Sequence, residues 1–298
     1  MTAPTASANA PAASFAFLFA ACLAGLVLKS PDAYVNPQFW AEDAVIFFRQ
    51  QWDHDWPRLL VDYAGYLHSV PRLVAWVASL APVAWAPAVY SYVALVLGAL
   101  SLAYFCWRLE SPALGSLALA GVLLAPTNGE VFGTLTNSQW FLQFFLLAAC
   151  FLPGPTAQSA LRRGAMTGAV LLAALTGPFS TLLLAVHCAL AIASLVMRQY
   201  ELGRWMPAYL ARLDYARLAA LWIGGLVQLA TIALADHQPN VDASLRTMLV
   251  AVGGISQTHT FGARLVPAWL FLPMLASAAA LVACWRRIHC APGDRGLL

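Results

Sequence analysis

Residues Ala86–Trp107 read APAVYSYVALVLGALSLAYFCW, 22 positions without a charge. As a helix rising 1.5 Å per residue they reach roughly 33 Å, enough to cross the ~30 Å hydrocarbon layer of a bilayer. Pro87 falls in the first turn, where a missing N–H costs nothing. Working outward, further apolar runs occur at Pro11–Leu28, Ala113–Pro126, Asn137–Leu152, Ala165–Pro178, Phe179–Met197, Arg217–Ala235 and Leu265–Trp285. Three of them hold only 14 to 16 residues. That is below the ~17 needed to span, so they either extend into their flanks or shelter inside a bundle. Ala165–Met197 is too long for one helix, and Gly177-Pro178 predicts a tight hairpin within it.

Composition agrees. Of 298 residues, 61% are hydrophobic and 10% charged, with a mean hydropathy of +0.71. Soluble domains carry about 25% charged residues, so 13 acids and 16 bases are too few for a water-facing surface of ordinary size. Disordered chains are poor in apolar residues, which excludes disorder. A net charge of +3, with no basic run longer than two residues, leaves no footprint for nucleic acid. The cysteines, Cys22, Cys106, Cys150, Cys188, Cys284 and Cys290, share no metal-ligand spacing. All but Cys290 lie in apolar runs, as small packing side chains do. The chain reads as an all-α polytopic membrane protein, a single integral membrane domain over residues 1–298 with no internal repeat.

Val70–Trp85 decides the topology. It contains Arg72, Pro71, Pro82 and two tryptophans, which suit a helix lying in the interface better than a span. With that segment flat and the N-terminus inside, eight spans follow. The cytoplasmic side then holds Arg108, Arg162, Arg163, Arg198, Arg204, Arg212, Arg217, Arg286, Arg287 and Arg295, against Lys29, Arg49, Arg58, Arg72, Arg246 and Arg264 outside. A ninth span would put the larger set outside, against the positive-inside rule. Both termini are therefore expected in the cytoplasm. The N-terminal run lacks a basic leader and reads as an uncleaved first span.

The acids then sort to the outer side. Asp32, Glu42, Asp43, Asp53, Asp55 and Asp62 all lie in the first outer loop, Ser30–Ser69. Nine aromatic residues in the same loop anchor it at headgroup level. Glu42-Asp43 is set between Phe39-Trp40 and Val45-Ile46-Phe47-Phe48. Two acids there serve either as a general base with its neighbour or as the start of a helix, where acids favour the dipole. His68 and Arg72 stand four apart, on one helical face if Pro71 does not break the turn. They read either as a grip on phosphate or, for Arg72, as a snorkelling anchor. The second outer loop carries Glu130, Asn137, Gln139 and Trp140, hydrogen-bonding groups that suit sugar hydroxyls; the plainer reading is a polar turn capped by Thr136 or Asn137. Arg264, in the last outer loop, is a further candidate phosphate ligand.

The order of these features resembles the GT-C superfamily of polytopic glycosyltransferases over roughly residues 11–155. Asn36-Pro37-Gln38-Phe39-Trp40-Ala41-Glu42-Asp43 looks like that family's acidic motif, in a catalytic loop spanning 30–85. His68-Ser69-Val70-Pro71-Arg72 looks like its interfacial segment, without the family's lysine and second proline. Residues 156–298 would add further transmembrane helices. The resemblance implies a sugar donor on polyprenyl phosphate, attacked with inversion by a glycan or lipid acceptor. Asp43 (or Glu42) would be the base, and His68 and Arg72 would hold the leaving phosphate. Glu130 would bind sugar or, with Asp43, a divalent metal such as Mg2+ or Mn2+, which some members use. The expected setting is the inner (plasma) membrane of a bacterium, with membrane lipids as neighbours. Two other classes compete: a transporter or flippase for a lipid or polysaccharide precursor, and a non-catalytic membrane subunit. A transporter usually carries ionisable groups within its spans, and His187 is the only one found there.

Overall fold

The computed structural model describes residues 12–52, 56–109, 111–124, 131–153, 158–200 and 205–235. Eleven α-helices occur among them: α1 (Ala12–Lys29), α2 (Asp32–Val35), α3 (Arg49–Trp52), α4 (Ser69–Ser79), α5 (Ala86–Arg108), α6 (Pro112–Leu124), α7 (Gln139–Phe151), α8 (Ala160–Ala174), α9 (Phe179–Gln199), α10 (Trp205–Leu210) and α11 (Tyr215–Leu234). A π-helical stretch (Asp43–Phe48) and three 3-10 turns (Trp56–Leu60, Val83–Trp85 and Thr136–Ser138) complete the elements. The described residues form no strand, only two isolated bridges.

Among the described residues three helices are long and apolar enough to cross a membrane: Val83–Arg108, Phe179–Gln199 and Tyr215–Leu234. Phe15–Lys29 and Pro112–Leu124 are shorter apolar helices. The three short runs in the sequence stay short, as α6, α7 and α8, so eight full-length spans are not seen among the described residues. The eighth run, Leu265–Trp285, lies outside them. Gly177-Pro178 does break the long apolar stretch, between α8 and α9. The α4 helix has 11 residues, roughly 16 Å, about half a bilayer's hydrocarbon.

The chain divides into two compact units. The first holds the described residues up to 123, with 131–186 and 213–235. Within it α1 packs on α5, α5 on α7, α7 on α8, and α8 on α11. Cys22 and Leu26 of α1 meet Leu95, Ala99 and Leu102 of α5 and Phe141 of α7 in one buried cluster. Small residues let the helices close up: a Cβ on Gly224 would stand 2.5 Å from that of Ala174, the close approach that membrane helices favour. The outward faces are also apolar. Tyr92, Val96, Leu100, Ile223, Leu226 and Leu229 are all exposed, a belt that water would not tolerate and lipid would. The described part of the second unit is Leu124, 187–200 and 205–212, and includes α9 from His187 onward and α10, in which Met206 and Tyr209 are buried.

Tertiary hydrogen bonds sort the connecting segments of the first unit to two ends: Asp43 joins Leu135 and Thr136, and Leu67, Ser69 and Val70 join Leu175, Thr176 and Gly177, whereas Arg108 joins Leu152 and Arg217 joins Gln158. Residues 30–52, 56–85, 131–138 and 175–178 belong to the first end. The C-termini of α5 and α7 and the N-termini of α8 and α11 gather at the other.

Candidate functional site

The first of these ends brings the candidate residues together. The chain reverses at Ala64-Gly65, both with positive φ (55° and 82°), and Tyr63 and Tyr66 exchange backbone hydrogen bonds across the turn. Positive φ is unusual for alanine. The next residues are stitched to the α8–α9 hairpin. Ser69 N–H donates to Leu175 O, Gly177 N–H to Leu67 O, and Val70 N–H to Thr176 Oγ1. From α11, Gln228 clasps the same segment: its Oε1 accepts from Leu67 N–H at 2.8 Å, and its Nε2 donates to Leu67 O and Gly177 O. Gly177 has φ +84°, and a Cβ there would overlap the Gln139 side chain.

His68 then starts α4, its carbonyl accepting from Arg72 N–H at 2.9 Å. Pro71 sits in the first turn, where it begins the helix rather than breaking it. His68 and Arg72 are 1% and 0% exposed. The imidazole stacks on Tyr66 at 4.5 Å and contacts the Phe47 and Tyr63 rings. Its Nδ1 lies 3.2 Å from Tyr66 O, a carbonyl that can only accept, so Nδ1 carries the proton and Nε2 a lone pair. Burial, opposed first by the hydrogen bond to Tyr66 O, then reinforced by the Arg72 charge and opposed least by Asp62, pushes the His68 pKa down to about 4. His68 is therefore a neutral acceptor near pH 7, better matched to a hydroxyl than to a phosphate.

Arg72 donates through Nε to Val61 O at 3.2 Å and through Nη1 to Gln50 Oε1 at 2.7 Å, and lies 5.0 Å over the Phe47 ring. Among the described residues it makes no ion pair, and both ion pairs found there involve Asp214. Burial first, then Arg58, lowers its pKa, opposed by Asp62, but a guanidinium stays charged. The snorkelling anchor is thus not what Arg72 does.

Asp43 is 1% exposed. It does not cap its own helix. Its Oδ1 accepts from Thr136 N–H (2.9 Å) and Thr136 Oγ1 (2.6 Å), and its Oδ2 from Leu135 N–H (3.0 Å). The carboxylate thus sits at the start of the 136–151 helical segment, binding the second connecting loop to the first. Oδ2 takes one donor and keeps a lone pair. Burial outweighs these donors, and with the Glu42 charge pushes the Asp43 pKa up to about 6. Glu42 is half-buried and hydrogen-bonds Tyr63.

Gln139, at the start of α7, donates through Nε2 to the Tyr66 hydroxyl at 3.4 Å. Asn137 lies in the turn before it, bonded within the protein; Thr136 spends its hydroxyl on Asp43 rather than on a cap. Glu130 and Arg264 lie outside the described residues, so the Asp43–Glu130 pairing is not seen. Among the described residues no three His, Cys, Asp or Glu side chains gather as a metal site.

Several buried polar atoms of this end have no hydrogen-bond partner among the described residues: His68 Nε2, Arg72 Nη2, Tyr90 Oη, Ser138 Oγ and Gln139 Oε1. Buried polar atoms normally find partners, so a cluster of orphans marks a place for water or a polar ligand. Beside it, Val70 walls an apolar cleft of about 280 Å³ between α1, α5, α7 and α8, lined by Phe15, Leu97, Tyr104, Phe145 and Leu172 among others. Tyr66 belongs to the aromatic set that the first outer loop displays in the sequence, whereas Tyr90, Thr176 and Gln228 do not stand out there as site residues. Gln228 left a signal, the single amide in an otherwise apolar run, whereas Thr176 left none.

Set against known protein families, curated proteins and solved structures, the chain matches none.

The two shifted groups oppose each other in pH. Asp43 binds its proton more tightly folded than unfolded, so its stabilising contribution is present below about pH 4 and lost as pH rises to about 6. His68 binds its proton less tightly when folded, so its contribution is lost as pH falls from about 6.5 to 4. Melting of Asp43→Asn should accordingly gain on the parent as pH rises from 4 to 6, by up to about 3 kcal/mol. A pH-independent difference between the two would contradict the buried carboxylate.

Proposed function

We propose that the chain is a membrane glycosyltransferase, moving a sugar from a polyprenyl-phosphate-linked donor to a glycan or lipid acceptor at the extracytoplasmic face. The observation that carries this reading is the fully buried Arg72 guanidinium, without a carboxylate partner among the described residues, at the same end of the bundle as several orphaned polar atoms and the buried Asp43. Leaving such atoms dry costs about 1–3 kcal/mol each, and a phosphate with sugar hydroxyls supplies what they lack. The Arg72 Nη2 protons meet a phosphate oxygen. His68 Nε2 and Gln139 Oε1 accept from hydroxyls. Asp43, with the raised basicity of a buried carboxylate and one lone pair left on Oδ2, takes the acceptor's proton.

The acceptor oxygen bonds to the anomeric carbon as the bond to the donor phosphate breaks, and the pair of electrons leaves with the phosphate. Arg72 offsets that developing charge in a site that excludes water, where such a charge is most effective. The apolar cleft at Val70 suits the isoprenoid chain of the donor.

The test is sugar transfer by purified, reconstituted protein. Arg72→Gln should reduce turnover about 100-fold or more, the usual cost of one lost transition-state donor, and Asp43→Asn should abolish transfer while leaving membrane insertion intact. Unchanged transfer in both variants would remove the assignment. Mass spectrometry of outer glycans and lipids from a deletion strain would name the product.

A further inference from the structure

The opposite end of the first unit carries a second, unrelated cluster. The α8 helix begins with Ala160 behind its Ser159 cap, whose hydroxyl accepts from Arg162 N–H. The α11 helix begins with Tyr215 behind Asp214, whose carboxylate accepts from Ala216 and Arg217 N–H. The two starts are side by side: Arg163 Nη2 lies 3.4 Å from Asp214 Oδ1, and Arg217 Nη2 donates to Gln158 Oε1 at 2.9 Å. Both helices therefore present the positive ends of their dipoles at one place.

Arginine accumulates there. Arg163 and Arg217 share one carboxylate, Asp214, and Arg162 adjoins Arg163 in the first turn of α8. Arg217 is 1% exposed, touches Asp214 at 3.5 Å through Nε, and among the described residues leaves Nη1 buried without a hydrogen-bond partner. Its charge adds to the positive field beneath the two exposed arginines. Leu161 and Tyr215, in the same two first turns, are 85% and 64% exposed. An apolar side chain and a tyrosine flanking exposed arginines match the boundary between acyl chains and headgroups.

We propose that this end is a binding site for an anionic phospholipid headgroup, with the phosphate held by Arg162, Arg163 and the first turn of α8, and the acyl chains against Leu161 and Tyr215. Positive ends of membrane proteins face the anionic cytoplasmic leaflet, so the site also orients the bundle. It does not depend on the glycosyltransferase reading.

The test uses the full chain in detergent, with lipids counted by native mass spectrometry after exchange into mixed phosphatidylglycerol and phosphatidylcholine. Phosphatidylglycerol should be retained over phosphatidylcholine. Losing each arginine should weaken that preference about fivefold, so the double variant Arg162→Gln/Arg163→Gln should lose roughly 25-fold, while Arg49→Gln, at the other end, keeps it. The double variant should melt normally in phosphatidylcholine, since both side chains are exposed. Free glycerol phosphate should not compete at matched concentration, because the chains supply part of the binding. Equal retention of both lipids, an unchanged preference in the double variant, an equal loss in Arg49→Gln, or full competition by glycerol phosphate would each overturn the proposal.

Discussion

Asp43→Ala should lower stability by several kcal/mol, and by more at pH 5 than at pH 8. The substitution removes the acceptor for two backbone N–H groups, Leu135 and Thr136, and for the Thr136 hydroxyl. A buried donor left without an acceptor costs about 1–3 kcal/mol. Against this stands relief from holding a charged carboxylate out of water, which matters only where the group is ionised. Because burial pushes its pKa up to about 6, the relief is small at pH 5 and larger at pH 8. Asp43→Asn should be milder, since an amide oxygen can keep both bonds to Thr136 and only the Leu135 bond is lost. Thermal melting in detergent at the two pH values, with proteolysis of the 131–138 loop as a local readout, tests this. Equal melting of Asp43→Ala and the parent would mean that the carboxylate does not bind the two loops.

Gln228→Leu should be comparably damaging, from a helix that carries no candidate catalytic group. The side chain is completely buried. The leucine leaves Leu67 N–H without its acceptor and Gly177 O without the Gln228 donor, for about 2–5 kcal/mol together; Leu67 O keeps the Gly177 N–H. Leu67 immediately precedes His68, so loss of the clasp also frees the start of α4 and with it Arg72. Faster hydrogen exchange at the Leu67 amide should accompany the loss of stability. A leucine variant with normal melting and a protected Leu67 amide would show the clasp to be dispensable.

Much of the site was legible because charge is conspicuous in an apolar chain. Asp43, His68, Arg72 and Gln139 stood out as polar residues at the ends of apolar runs, and the alternation of those runs predicts that they share one side. What each does was not legible. Asp43 was weighed as a cap of its own helix and instead serves the start of another, 92 residues on. His68 reads in the sequence as an imidazole sharing a phosphate grip with Arg72; in the fold burial among aromatic rings keeps it neutral, although its hydrogen bond to the Tyr66 carbonyl favours the charged form.

Hydropathy is local and additive, so the amino-acid order alone settled that the chain is helical, where its apolar runs lie, that Gly177-Pro178 parts two helices, and that Val70–Trp85 is not one continuous span. Hydrogen-bond partnership and burial depend on segments far apart in the chain. Only the packed helices decided that Gln228, Thr176 and Gly177 hold the segment leading into His68, that Arg72 is sealed without a counter-charge among the described residues, and that Arg163 and Arg217 converge on one aspartate at the opposite end.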